Sequence, residues 1–344
     1  MPESRDPATS AEPALHVVGA NPALDRLQVV PTFAPFGVNR ARQVISRAGG
    51  KSLIVARAIR RLGGAVTLHG FLGGPVAEVI AGECRSEGIR DLHVRVQGET
   101  RTTVVIIEEA TGLTTVVNEP GPVITSAESQ QMEATLFSEL RAGDLLVLTG
   151  SLPPGIPTDF YARVITRARA AGSVVLVDTS GEPLAQAITA GPDVVKVNAQ
   201  EFQHLLPAPD SVDGENLLRA MDFIRQQHRI GTVIVTQGSK GCVAMDATHI
   251  YDVSAPVVDT VNATGSGDAF FGALALTLAR QAARGASSLA EALRIGTGAG
   301  AANAVQLSPE VGSLTDVLRY AQDVDVRVTQ AGSGAVPTPR AGTQ

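Results

Sequence analysis

The sequence predicts an α/β fold, a three-layer α/β/α sandwich with a mostly parallel sheet and a small β-sheet lid. Three observations carry this expectation. From residue 127 onward helical and strand patterns alternate strictly, which is how parallel strands joined by crossover helices read. Those strands end in polar, glycine-containing punctuation, and the shared edge it would form is where open α/β sheets bind ligands. Ahead of residue 127, β-branched segments broken by Pro and Gly suit short strands standing beside the main sheet.

Taken in order, residues 15–19 read as a buried strand running out into Asn21-Pro22-Ala23-Leu24-Asp25, a turn carrying a carboxylate. Residues 29–45, interrupted by Pro31, Pro35 and Gly37, suit the edge strands of a flap. Ala48-Gly49-Gly50-Lys51-Ser52 is a glycine turn, and Leu53, Ile54, Ala58, Ile59 and Leu62 follow it at helical spacing until Gly63-Gly64. Lys51 thus sits at a helix N-terminus, an unfavourable place for a cation unless an anion joins it, or is simply a solvated lysine on a turn. Residues 65–72 read as a strand, 77–87 as a helix and 92–96 as a strand. Residues 100–107 and 115–118 pair as a hairpin about Gly112. The lid is expected from residues 27–46 and 95–118.

In the alternating part, helices are expected over 127–140, 159–170, 183–188 and 216–227, and strands over 144–149, 173–177, 194–197 and 232–236. Then comes Asn262-Ala263-Thr264-Gly265-Ser266-Gly267-Asp268, followed by a long apolar helical run. Glycines around a serine at a helix start present bare backbone N–H groups where the macrodipole favours an anion. Asp268, in the first turn, is placed to act as a base for a substrate hydroxyl, although Asp in a first turn is also ordinary capping chemistry. Small residues through Gly298-Ala299-Gly300-Ala301-Ala302-Asn303 allow either tight helix packing or room for a flat ligand.

Composition narrows the function classes. The 344 residues are 44% hydrophobic and 18% charged, enough to bury a large core. A net charge of −6, with Lys and Arg scattered, argues against a nucleic-acid binder. The six His show no metal-ligand spacing, and two distant cysteines suit a reducing, cytoplasmic compartment. No apolar run approaches the ~18 residues of a membrane span. The ends, residues 1–14 and 329–344, are small-residue and Pro-rich and are expected to be a disordered and a flexible tail around a domain of residues 15–328.

Together these stretches resemble the ribokinase-like carbohydrate kinases, in the branch that contains 1-phosphofructokinase, tagatose-6-phosphate kinase and the minor 6-phosphofructokinase. The resemblance runs from Asn21 to about Val328. It rests on Asn21-Pro22-Ala23-Leu24-Asp25, Gly37-Val38-Asn39-Arg40, Ala48-Gly49-Gly50-Lys51, Thr100-Arg101-Thr102 and Asn118-Glu119-Pro120-Gly121-Pro122 in the first part of the chain. Further on it rests on Gly150-Ser151-Leu152-Pro153-Pro154-Gly155, Asp178-Thr179-Ser180-Gly181-Glu182, Lys196 with Asn198 and Glu201, and Gly265-Ser266-Gly267-Asp268.

The resemblance implies an ATP- and Mg²⁺-dependent kinase of a ketohexose phosphate. Separately, a lid with exposed edges and one apolar face invites pairing with a second copy, so a homodimer in which the two lids pack on each other is expected. Asp268 matches the general base, and the amides of Gly265, Ser266 and Gly267 match the anion hole for the transferred phosphoryl. Asp25 and the Gly50 turn match the sugar site, Lys51 and Arg101 the cations that grip the sugar's own phosphate. Thr236, Gly238 and Gly241 match the nucleotide loop, Asn303 lies in the segment lining the adenine side, and Asn198 with Glu201 matches the motif that helps place Mg²⁺ through water. The chain departs from the pattern where the family has Gly-Gly-Lys-Gly, an apolar residue and Asn: here Ser52 replaces Gly and Ile54 replaces the hydroxyl-binding Asn. Thr103 replaces a further Asn. A kinase of an unphosphorylated sugar or nucleoside, and a non-catalytic sugar- or nucleotide-binding paralogue, remain alternatives.

Overall fold

The computed structural model describes residues 12–206 and 214–331. The first strand, β1 (Leu15–Gly19), is central in the main sheet; β2 (Ala23–Val30) and β3 (Gln43–Gly49) leave it to build the lid before α1 (Lys51–Arg61) returns the chain to the core. Then follow β4 (Thr67–Gly73), α2 (Gly74–Ser86), the short β5 (Arg90–Asp91) and β6 (Val94–Val96), and the lid hairpin β7 (Arg101–Glu108) with β8 (Thr114–Asn118). The alternating part gives α3 (Ser126–Glu139), β9 (Leu145–Thr149), α4 (Phe160–Ala170), β10 (Val174–Asp178), α5 (Gly181–Thr189), β11 (Val194–Asn198), α6 (Ala199–Gln203), α7 (Gly214–Gln227) and β12 (Thr232–Thr236). A hairpin, β13 (Cys242–Met245) and β14 (His249–Val253), precedes α8 (Ser266–Ala283), α9 (Leu289–Ala304), α10 (Leu314–Gln322) and β15 (Val326–Gln330).

The main sheet runs β15-β14-β13-β12-β11-β10-β9-β1-β4-β5, with β6 also on β4. Pairing is parallel from β12 to β4 and antiparallel from β12 out to β15. Both faces are covered, so alternate residues of one strand enter different cores: Leu145 and Val147 pack with α1, α8 and α9, while Leu146 and Leu148 pack with α3 and α4. The lid is a separate four-stranded sheet, β3-β2-β7-β8, in which β2 and β7 are parallel and the outer pairs antiparallel. Its inner face carries Leu27, Val29, Val105 and Ile107, all buried. The architecture is the expected α/β sandwich with a mostly parallel sheet and a small β lid.

Several sequence expectations are corrected. Asp25 does not sit in a turn; β2 begins at Ala23, pairs along its length with β3 and β7, and carries Asp25 on the lid. Residues 31–42, inside the expected lid strands, connect β2 to β3, and β3 continues to Gly49. Residues 94–96 belong to the main sheet, because Val94 to Val96 pair with Phe71 to Gly73 of β4, so the second half of the lid begins at Arg101. The C-terminal tail begins later than expected: Thr329 and Gln330 pair with Ile250 and His249 of β14. Residues 1–11 and 332–344, where the rest of the tail expectations fall, lie outside the described residues. Among the described residues, no helix is long and apolar enough to cross a membrane.

Candidate active site

The parallel strands β1, β9, β10, β11 and β12 end on one edge, and there the lid faces the start of α8. A cleft of about 780 Å³ opens between them, lined among others by Asp25, Lys51, Ile54, Arg101 and Asp268. These residues, drawn from four separate stretches of sequence, are brought together as expected on one site.

The start of α8 is shaped by Gly265, whose φ of 81° is the left-handed conformation that glycine adopts without strain. Asn262 holds the turn by accepting from the Thr264 amide at 3.0 Å, and Ser266 N–H donates inward to the Ala263 carbonyl at 3.1 Å. That inward bond removes Ser266 from the expected set of anion-binding amides. The amides of Gly265 and Gly267 donate to no group among the described residues. Asp268, in the first turn, is 7% exposed. Burial is the main reason its pKa rises to about 7; Lys51 and Lys196 pull against this, and Asp178 and Glu201 add to it.

Beneath the turn lies a charge cluster. Asp178, at the end of β10, is fully buried and accepts from Lys51 Nζ and Lys196 Nζ, each at 2.7 Å. Burial alone would raise the Asp178 pKa, but the two ammonium groups outweigh it and hold the carboxyl below its ordinary value. For Lys51, burial would lower the pKa, and Asp178, Asp268 and Glu201 reverse this and raise it. Lys51 Nζ is also 3.8 Å from Glu201 Oε1. The cation read as a phosphate clamp is therefore committed to carboxylates on the cleft floor. Lys196 is 4% exposed, and a Cβ added to Gly267 would come within 2.9 Å of its Nζ, so its charge sits directly under the turn. Asp178 and Lys196 were visible as parts of motifs, but nothing local in the sequence says that they meet.

On the lid side, Asp25 accepts weakly from the Gly50 amide at 3.4 Å, and burial raises its pKa to about 6. A Cβ on Gly49 would overlap its carboxylate at 2.0 Å, which explains the glycine turn there. Arg101 spends Nε on the Asn21 carbonyl and Nη1 on the Glu119 carbonyl, both at 3.2 Å. Its Nη2 donates to no group among the described residues and stays available to the cleft. Thr103 donates to Asn118 Oδ1 at 3.2 Å, and Ser52 packs so tightly on Gly19 that a Cβ there would lie 2.1 Å from Ser52 Oγ. Ile54 lines the cleft with Val105 and Val116 of the lid.

The other expected residues lie outside this cleft. Thr236 closes β12 and leads to a short 3-10 turn bounded by Gly238, exposed at φ 61°, and Gly241 at φ 97°. Asn303 is 0% exposed and donates to the Thr264 carbonyl at 2.9 Å and to Ser266 Oγ at 3.2 Å. It braces the turn from inside. Asn198 and Glu201 cap α6 reciprocally: Glu201 N–H donates to Asn198 Oδ1 at 2.8 Å, and Asn198 N–H to Glu201 Oε2 at 2.9 Å. Glu201 Oε1 is left facing Lys51.

A buried carboxylic acid raised to a pKa of about 7 thus lies beside an open amide turn with cations beneath, and phosphoryl transfer is a reaction in which positioning and charge neutralisation dominate. The sequence pattern of the pfkB family carbohydrate kinases matches residues 19–313, and the chain belongs to that family. It is 32% identical over 266 residues to a tagatose-6-phosphate kinase of Staphylococcus epidermidis, covering 76% of this chain and 84% of that protein. It is 34% identical over 263 residues to a 1-phosphofructokinase of Xanthomonas campestris pv. campestris, covering 76% and 83%. Phosphofructokinase-2 of Escherichia coli, solved in complex with fructose-6-phosphate, superposes with a TM-score of 0.81 at 28% identity over 90% of this chain and 98% of that one; the same enzyme has been solved in a tetrameric inhibited form.

Proposed function

We propose that the chain is an ATP-dependent phosphosugar kinase that transfers the γ-phosphoryl group of ATP to a hydroxyl of a ketohexose phosphate. The observation that carries this reading is the buried Asp268 at the mouth of the open turn, facing a cleft shared with Asp25 and Arg101. Asp268 takes the proton of the attacking hydroxyl, and the amides of Gly265 and Gly267, with Lys196 below, meet the charge on the phosphoryl in flight. Asp25 orients sugar hydroxyls, and the unspent Nη2 of Arg101 meets the phosphate the sugar brings. Lys51 and Asp178 hold the cleft floor and set the charge around Asp268. Thr236, Gly238 and Gly241 offer the nucleotide a backbone-lined shelf on the same sheet edge.

Among the described residues, no three His, Cys, Asp or Glu side chains converge to hold a metal directly. That suits Mg²⁺, which keeps several waters and takes ligands from substrate phosphates. Glu201 Oε1, whose contact among the described residues is the 3.8 Å ionic one to Lys51, would accept from such a water. When bound, Mg²⁺ would neutralise the donor's phosphate charge. A coupled ADP-release assay with fructose 1-phosphate, fructose 6-phosphate and tagatose 6-phosphate tests the proposal: turnover well above the ATPase background with at least one is expected, and none would sink it. Because Lys51 is committed to carboxylates, a kinase of an unphosphorylated sugar is the second reading. Arg101→Ala separates the two, since it raises the sugar KM steeply only where the substrate carries its own phosphate.

The Asp268 pKa sets the sign of the pH dependence. The base works ionised, so kcat/KM is expected to rise with pH through about 7 and level off above it. A profile flat from pH 6 to pH 8, or falling as pH rises, would remove Asp268 from the base role.

Ile54 sets the sugar preference. It is 4% exposed and lies against the turn, its Cδ1 at 3.0 Å from where a Cβ of Gly265 would stand. An isoleucine offers no partner to a hydroxyl. Ile54→Asn should favour sugars bearing a hydroxyl at that point over their deoxy analogues by ~1–3 kcal/mol in kcat/KM. An unchanged ranking across such a panel would place Ile54 away from the sugar.

The lid leaves Val44, Val117 and Leu113 at 50% exposure or more. Such a surface beside free sheet edges suits pairing with a second lid. A homodimer mass by light scattering is the expected result, and a monomer mass at assay concentration would contradict it.

A further inference from the structure

The segment joining α9 to α10 lies between the lid and the anion-binding turn and touches both. Leu307 packs against the apolar inner face of the lid, where Leu27, Val29, Val105 and Ile107 are buried. The Leu307 carbonyl accepts from the Asn262 amide group at 2.9 Å, the same side chain that shapes the turn. Pro309 approaches Gly265 so closely that a Cβ there would meet it at 2.9 Å. Glu310, steadied by Ser308 Oγ at 3.1 Å, is in ionic contact with Arg47 of β3.

Arg47 is not an ordinary surface arginine. It stands directly across from Asp25 in the β2–β3 register and is about one-quarter exposed, at 27%. Besides Glu310 it reaches Glu87 at 3.2 Å and Glu83 at 3.7 Å. Those two glutamates are held in turn by the buried Arg57, at 2.9 Å each, and Glu83 accepts the Ala48 amide at 3.0 Å. Three carboxylates thus face two guanidinium groups, and Arg47 is the group that spans from the lid strand to the segment behind the turn. Charge-assisted pairs of this kind fix geometry in a way that an apolar contact does not.

We propose that Arg47 is a positioning residue: through Glu310 it ties the lid to the turn 262–268, so that placing the sugar under the lid and shaping the amide turn for the phosphoryl group become one event. Strand β3, which pairs along its length with the strand carrying the sugar-orienting Asp25, is thereby linked to Glu310, and through it to Pro309 and the backbone of Gly265. The catalytic consequence rests on the kinase reading above; the mechanical link does not.

Hydrogen exchange read by mass spectrometry on the full chain tests the link without any substrate. In Arg47→Met and in Glu310→Gln, the peptide spanning 262–268 should exchange ~2–100-fold faster than in wild type, and the double variant no faster than the worse single one. Arg42→Ala is the control, because among the described residues the Arg42 side chain pairs only with exposed Glu109 next to β7, at 2.9 Å, and it should leave that peptide unchanged. Should Arg47→Met fail to fold, Glu310→Gln cuts the same link from the other side. In turnover, loss of the link should lower kcat by about 10–100-fold with a much smaller change in sugar KM, and Arg47→Lys should recover part of it. Wild-type exchange at 262–268 in the folded single variants, or an equal effect of Arg42→Ala, overturns the proposal. A wild-type protein inactive on every sugar would instead overturn the kinase reading, while the exchange data still judge the link.

Discussion

Asp268→Asn is expected to abolish phosphoryl transfer while leaving a folded protein that still binds both substrates. The amide keeps the shape of the side chain and loses the ability to take a proton, a loss of ~10²–10⁴-fold in kcat for a general base. Folding should not suffer. The fold already disfavours the ionised form of this carboxyl, as its pKa near 7 records, so replacing it by a neutral group removes a burden. The sign is fixed by that shift: with the folded pKa raised from 3.8 to about 7, stability is lost as pH rises between those values and the cost is complete above them, and the amide relieves it. A kcat within tenfold of wild type would mean that another group takes the proton.

Asp178→Asn is expected to be the most destabilising single change at the site. Its carboxylate is fully buried between Lys51 and Lys196, and Lys196 is itself 4% exposed. Removing the shared counter-charge leaves a buried ammonium uncompensated, at about 3–5 kcal/mol. Urea unfolding should show that loss, and adding Lys196→Met should restore much of it, because removing both charges is far milder than removing one. A double variant no more stable than Asp178→Asn alone would show that the cluster is not what the stability depends on.

The sequence reveals the parts of this molecule that are local and periodic. Helix α1 is legible because Gly50 stops the preceding strand and Leu53, Ile54, Ala58 and Ile59 then repeat at helical spacing, all of them buried. The parallel sheet is legible because strands such as 145–149 are continuous apolar runs, as burial on both faces requires. Strand β2 is obscured by Pro22 and by a carboxylate in its third position, features that read as a turn until the pairing with β3 and β7 is seen. Strands β13, β14 and β15 are four or five residues long and belong to a sheet edge, where period alone says little.

The site divides in the same way. Asp268 and its glycines are adjacent in sequence, so their chemistry could be read directly. Lys51 and Asp178 are 127 positions apart, and their contact is a product of the sheet order, which no spacing encodes. The inward turn of Asn303 depends on how α9 packs behind α8, again a tertiary fact, whereas the Ser266 amide bonds within its own turn to Ala263. Ile54 could be flagged from sequence as a departure, and its place on the cleft wall follows from the helix phase set at Gly50.

In the proposed reaction the Asp268 turn passes a phosphoryl group from ATP to a ketohexose phosphate. Phosphorus NMR of ATP and Mg²⁺ mixed with fructose 1-phosphate, fructose 6-phosphate or tagatose 6-phosphate observes that transfer directly. With at least one sugar, wild-type protein should convert ATP to ADP and produce a matching new phosphate-ester resonance, and Asp268→Asn should not. ATP left intact with all three sugars, or consumed to ADP and inorganic phosphate at the same rate without sugar, would rule out phosphosugar transfer at this turn.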